Sequence, residues 1–304
     1  MIQTMGQMAA LVAIGVFWRV LQPGGLHADL MRHAVANLVY YLLLPALILS
    51  VLWEAPLGME SVGIAASALA GVLGMLAVTV LAVRLLGLPG ATGGALILAG
   101  SWPNATYLGL PILAATFGEW ARRVAIQFDL FACFPLLLTL GILIARHYGN
   151  REASEGALRG LLRVPPLWAA LLAILLNAGG VQPPPLLMNL LADMGESVPA
   201  LMLLALGMSL TWTGSPTRGL SLPLLVLVLQ LGAQPLLVLG AASGLGLEGG
   251  ILQAVVIEGA MPSMLLGVVL CDRYGLDTPL YAKAVTLSTA VSLLTTPLWF
   301  LILQ

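Results

Sequence analysis

GSWPNATYLGLP, residues 100–111, sits within an apolar stretch running from about 93 to 117, and EGAMPSMLLG, residues 258–267, sits within another running from 249 to 271. Each stretch is long enough to cross a bilayer, which takes about 20 mainly apolar residues. Each also holds the residue types least able to continue a helix: Gly100, Pro103, Gly109 and Pro111 in the first, Gly259, Pro262 and Gly267 in the second. A proline inside a helix removes one backbone hydrogen bond and crowds the preceding turn, and in hydrocarbon the freed groups need partners within the protein. Ser101, Asn104, Thr106 and Ser263 stand beside the breaks. Two interrupted spans at corresponding positions point to a binding site at mid-membrane, where half-helix N-termini offer unpaired N–H groups and positive dipole ends to an anion such as a carboxylate. The residues expected to line it are Ser101, Pro103, Asn104, Ala105, Thr106, Met261, Pro262 and Ser263.

The rest of the chain fits this reading. Of its 304 residues 60% are hydrophobic and 8% charged, and mean hydropathy is +1.03, which excludes an ordinary water-soluble protein. Twelve Lys and Arg against 13 Asp and Glu exclude a basic nucleic-acid binder and an acidic disordered chain. A span-length window gives ten apolar segments, at about 5–21, 33–53, 61–86, 93–117, 124–146, 164–180, 185–212, 219–245, 249–271 and 279–303. The N-terminus lacks the positively charged start of a secretory signal, so its apolar run reads as the first span. Cys133 and Cys271 lie in apolar stretches without a CxxC or Cys/His cluster and read as small core residues.

Cytoplasmic loops hold the excess of Lys and Arg. The odd-numbered loops and adjoining span ends carry Arg19, Arg32, Arg84, Arg146, Arg151, Arg159, Arg163, Arg218, Arg273 and Lys283, while the even loops carry Arg122 and Arg123. That alternation predicts an integral protein of the plasma membrane, in bacteria the inner membrane, with both termini outside. The polar connection 148–163 divides the chain into residues 1–147, spans 1 to 5, and residues 164–304, spans 6 to 10. With five spans in each half, two copies of one fold insert in opposite senses, an inverted repeat. Pro45-Ala46-Leu47 recurs as Pro199-Ala200-Leu201, an offset of 154, and Pro103 recurs as Pro262, an offset of 159. The fold expected is an all-α integral membrane protein of ten helices in two inverted five-helix repeats, with helices 4 and 9 broken and crossed.

At these residues the sequence resembles the auxin efflux carrier family, which includes plant PIN proteins and bacterial carriers of malonate and related acids. The segments that carry the resemblance are YYLLLPALILSVL, PNATYLGLPILAATFG, VPALMLLALGMSL, EGAMPSMLLGVVLCDRYGLD and AVTLSTAVSLLTTPLW, in five spans and in the family's order. More distantly the chain is similar to the bile-acid sodium symporter superfamily. The resemblance implies a transport domain of spans 3–5 and 8–10 that slides as an elevator against a scaffold of spans 1, 2, 6 and 7, often in a homodimer. The sequence departs from the family at Trp102-Pro103, expected to narrow the pocket, and in its loop of about seventeen residues, which is long in the plant proteins.

Ionisable groups at membrane depth are costly and mark function. Glu258, just before the second break, reads as a coupling-ion or proton site, with Ser101, Asn104 and Thr106 as further oxygens for Na+. Asp129 reads either as a second proton site or as an aqueous-end residue paired with Arg122 or Arg123. Asp193 and Glu196, one helical face apart by three residues, read as solvated near an interface. Asn37, Asn177, Asn189, Gln230, Gln234 and Gln253 read as helix–helix glue, Gly240–Gly244 as a close-packing GxxxG, and Trp53, Trp120, Trp212 and Trp299 as interfacial anchors. There is no HExxH, no Gly-x-Ser-x-Gly and no intramembrane His. The expectation is a carrier, not an enzyme, with no cofactor beyond Na+ or H+, its partners being lipid and a small organic anion. An uncoupled uniporter or channel-like permease for weak organic acids is the alternative.

Overall fold

The computed structural model describes residues 2–149, 165–209 and 219–304. Nearly all of loop 148–163, with Arg151, Arg159 and Arg163, lies outside the described residues, as do Trp212 and Arg218. The described chain is helical: α1 Ile2–Leu21, α2 Ala28–Leu52, α3 Met59–Leu86, α4 Gly90–Ala99, α5 Ala105–Phe117, α6 Glu119–Tyr148, α7 Pro165–Ala178, α8 Pro185–Ser209, α9 Ser221–Gly244, α10 Gly249–Gly259, α11 Gly267–Tyr274 and α12 Thr278–Ile302. No strand occurs among these residues beyond one isolated bridge.

Six of these helices, α2, α3, α6, α8, α9 and α12, are long and apolar enough to cross a bilayer on their own. The four other segments expected to span are α1, α7 and the pairs α4/α5 and α10/α11. At 1.5 Å per residue the ten residues of α4 reach about half of a hydrocarbon core roughly 30 Å thick.

Prolines shape the long helices in a regular way. Wide turns, in which an N–H bonds five residues back, occur at Val39–Leu43, Asp129–Cys133 and Leu229–Ala233, each two residues before Pro45, Pro135 or Pro235. The residue preceding each proline makes the long bond: Leu44 to the Val39 carbonyl, Phe134 to Asp129, and Gln234 to Leu229. Widening the turn relieves the clash between the pyrrolidine ring and the carbonyl four residues earlier. A fourth wide turn, Ala105–Gly109, precedes Pro111. In α8 the helix is interrupted at Ser197, so Pro199 falls in the first turn of the second half, where its missing N–H has no intrahelical acceptor to lose.

The chain divides into two compact units: Met1–Met59, Thr106–Ile126 and Arg163–Leu210; and Glu60–Ala105, Gln127–Leu162 and Thr211–Gln304. In the first unit α1 and α8 cross at backbone contact. A Cβ on Gly207 would stand 2.0 Å from the Val12 carbonyl oxygen, and one on Gly15 2.3 Å from that of Leu204. Asn177 acts as the expected glue, its amide donating to the Trp53 and Ala55 carbonyls at 2.7 and 2.8 Å beyond the end of α2. Trp53 is not an interfacial anchor: it is buried and its indole N–H donates to the Val181 carbonyl at 2.8 Å. Asp193 and Glu196 are exposed on α8.

In the second unit α3 presents glycines to α9, with a Cβ on Gly71 falling 2.5 Å from a Val238 methyl. Gly240 and Gly244, expected to make a close crossing, have nothing within 4 Å. The small-residue pattern is present there, but nothing among the described residues packs against it. Pro235 deprives the Leu231 carbonyl of its helical donor, and the Trp299 indole of α12 supplies the bond at 2.8 Å.

Candidate functional site

The second unit contains both breaks up to Ala105, and it brings them together. α4 ends as the Gly100 N–H reaches Leu96 at 2.9 Å, and the backbone then leaves the helix until Ala105. α10 ends at Gly259, and the chain is non-helical until Gly267. Between them the Asn104 N–H donates to the Pro262 carbonyl at 2.8 Å, and the Met264 N–H donates to Trp102 at 2.9 Å. Pro103 and Ser263 thus face each other as an antiparallel pair. They occupy the non-hydrogen-bonded position, whose residues do not exchange N–H bonds, so a proline lacking an N–H fits there without loss.

Side chains from three other helices and a backbone carbonyl of a fourth hold the crossing. The Trp102 indole, fully buried, donates to the Cys133 carbonyl in the wide turn of α6 at 3.0 Å. Trp102 is therefore an anchor of the break in the core. Gln230 of α9 donates its amide to the Met261 carbonyl at 3.1 Å. Ser288 of α12 accepts the Ser263 N–H at 3.2 Å, and the Tyr281 hydroxyl donates to Met264 at 2.7 Å. Thr79 of α3 lies 3.0 Å from the Ser101 hydroxyl. Of these five positioning side chains, sequence reading singled out Trp102 and Gln230, with other roles. The available signal was faint: Gln230 and Gln234 lie one turn apart in an otherwise apolar span.

The expected site residues fall as follows. Ser101, Pro103, Asn104 and Ala105 lie on the first break, Met261, Pro262 and Ser263 on the second, and all are buried. Thr106, next in the chain, is half-buried and belongs to the first unit. Glu258 lies in the last turn of α10, fully buried. Among the described residues neither of its carboxyl oxygens has a hydrogen-bond partner, nor has either amide atom of Asn104, the Ser263 hydroxyl or the Gln230 oxygen. Leaving such groups buried and unpaired is costly, more so for a charge. This set suits a ligand, a proton or an ion. Asp129 is buried in the wide turn of α6. In the first unit Arg122 pairs with Glu119 at 2.7 Å and Arg123 donates to the Pro56 carbonyl at 3.4 Å. Among the described residues no three His, Cys, Asp or Glu side chains converge. A cation here would therefore be held by hydroxyl, amide and carbonyl oxygens around one carboxylate, which is hard-cation chemistry.

Long apolar helices around two joined breaks, with unpaired polar groups at the junction, define an integral membrane protein of the transporter class. The chain belongs to the membrane transport protein family, that of the auxin efflux carriers, whose profile matches residues 1–300. It is similar to an uncharacterized transporter of Methanothermobacter thermautotrophicus, 28% identical over 304 residues that cover 99% of this chain and 98% of the relative. An uncharacterized transporter of Methanocaldococcus jannaschii is 27% identical over 212 residues, 68% of this chain and 67% of its own length.

Proposed function

We propose that this protein is a secondary carrier that moves a small organic anion, a carboxylate, across the membrane by alternating access, coupled to Na+ or H+ at Glu258. One observation carries the reading: two helix breaks tied by reciprocal backbone hydrogen bonds, with the Asn104 amide and the Glu258 carboxyl buried beside them and without protein partners. The Asn104 amide offers donors to a carboxylate. Glu258 is stable in this setting when protonated or when facing a cation, and that alternation is what ion coupling requires.

The finer architecture belongs to the same proposal. Ten spans form two inverted repeats, with both termini outside. Spans 3–5 and 8–10 move as an elevator against spans 1, 2, 6 and 7, and the protein works as a homodimer. Asp129 is a second proton site.

Purified protein in proteoliposomes, preloaded with unlabelled malonate or another short-chain carboxylate and exposed to the labelled compound, tests the core of this. Saturable counterflow is expected, together with accumulation against a gradient when an inward Na+ or H+ gradient is imposed. Counterflow without gradient-driven accumulation would reduce the function to an uncoupled uniporter. Non-saturating flux without counterflow would make the protein a channel.

A further inference from the structure

The hydroxyl of Ser101 is fully buried, and its hydrogen-bond partner among the described residues is Thr79 Oγ1 at 3.0 Å. Thr79 is itself fully buried in the interior of α3, where its hydroxyl reaches back to the Met75 carbonyl at 2.8 Å and the Leu76 carbonyl at 3.2 Å. Each hydroxyl has one proton, and a carbonyl can only accept. If Thr79 donated to Ser101, the Met75 and Leu76 carbonyls would lose its proton and the Ser101 proton would have no acceptor among the described residues. If Thr79 donates to Met75, Ser101 can donate to Thr79, and both protons are used. The second arrangement avoids the penalty for an unmade buried bond. Gly100 allows the close approach: a Cβ there would stand 2.9 Å from the Thr79 methyl.

We propose that Thr79 is a positioning residue, which takes the proton of Ser101 so that Ser101 presents only oxygen lone pairs at the first break. An oxygen without an available proton repels a carboxylate and attracts a hard cation. Ser101 is thereby assigned to the coupling cation and not to the anionic cargo. This rests on the cation-coupled reading above and selects Na+ as the ion, since a transferred proton needs no such ligand.

The test is thermal unfolding of the purified full-length protein in detergent, titrated with NaCl against choline chloride at constant ionic strength and pH, without any organic substrate. The wild type is expected to be stabilised saturably by sodium. In Thr79→Val, which keeps shape but removes the acceptor, half-saturation should need about tenfold more sodium. Thr79→Ser should restore the wild-type value, which a merely structural role for the threonine methyl would not allow. Ser101→Ala should match Thr79→Val, and the double variant should be no worse than Ser101→Ala. An unchanged half-saturation in Thr79→Val overturns the inference and leaves the proposed function standing. If Thr79→Val does not fold, an unchanged sodium response in Ser101→Ala overturns it equally. Absence of any sodium effect on the wild type overturns it together with sodium coupling, while carboxylate counterflow would still be tested separately.

Discussion

Asn104 and Glu258 make the same demand on the fold. Both are buried, yet the polar atoms of their side chains have no protein partners, so truncating either leaves no orphaned group behind. Asn104→Ala is expected to fold normally and to bind its carboxylate about tenfold more weakly, the equivalent of one good hydrogen bond. Uptake kinetics with unchanged half-saturation would remove Asn104 from the site. Glu258→Gln keeps the shape while abolishing the charge. It should retain counterflow but lose accumulation driven by an ion gradient, and full gradient-driven accumulation in the variant would move the coupling role elsewhere, with Asp129 the next candidate. Both residues were legible in the sequence, because an amide and a carboxyl next to intramembrane Gly-Pro breaks are costly unless used. Thr79 and Tyr281 were not, since a hydroxyl in an apolar helix most often bonds its own backbone and nothing local says otherwise.

At the scale of elements, the recurring device is a proline two residues after a wide turn, and at Pro235 the stranded carbonyl is capped from another helix. Trp299→Phe removes the donor to Leu231 and should cost about 1 kcal/mol of stability, read as a lower unfolding temperature in detergent with transport kinetics unchanged. Glycine placement gives a sharper contrast. Gly207→Ala puts a Cβ against the Val12 backbone and should destabilise by about 1–3 kcal/mol. Gly240→Ala meets nothing within 4 Å and should be neutral or slightly stabilising, since alanine is the better helix former. Equal unfolding temperatures for the two variants would refute the close crossing of α1 and α8. Nothing among the described residues closes on the GxxxG at 240–244, because a small residue permits close approach but does not say whose backbone approaches.

For the whole molecule, the alternation of Arg and Lys predicts that both termini lie outside and the 148–163 segment inside. The two native cysteines are free and buried, so single cysteines added at the termini or at Ser154 can be probed in intact cells with a membrane-impermeant maleimide. Labelling is expected at both termini and not at position 154, and the reverse pattern would invert the topology. The sequence by itself determined the helical class, the membrane setting, the family and the two places where helices fail. Those follow from composition and from what glycine and proline do to the few residues around them. Only the tertiary structure decided which groups meet at the breaks: Asn104 with Pro262, Gln230 with Met261, Thr79 with Ser101. A buried donor takes the acceptor that the folded chain brings within about 3 Å, and partners from 22 to 158 residues away along the chain leave no local mark.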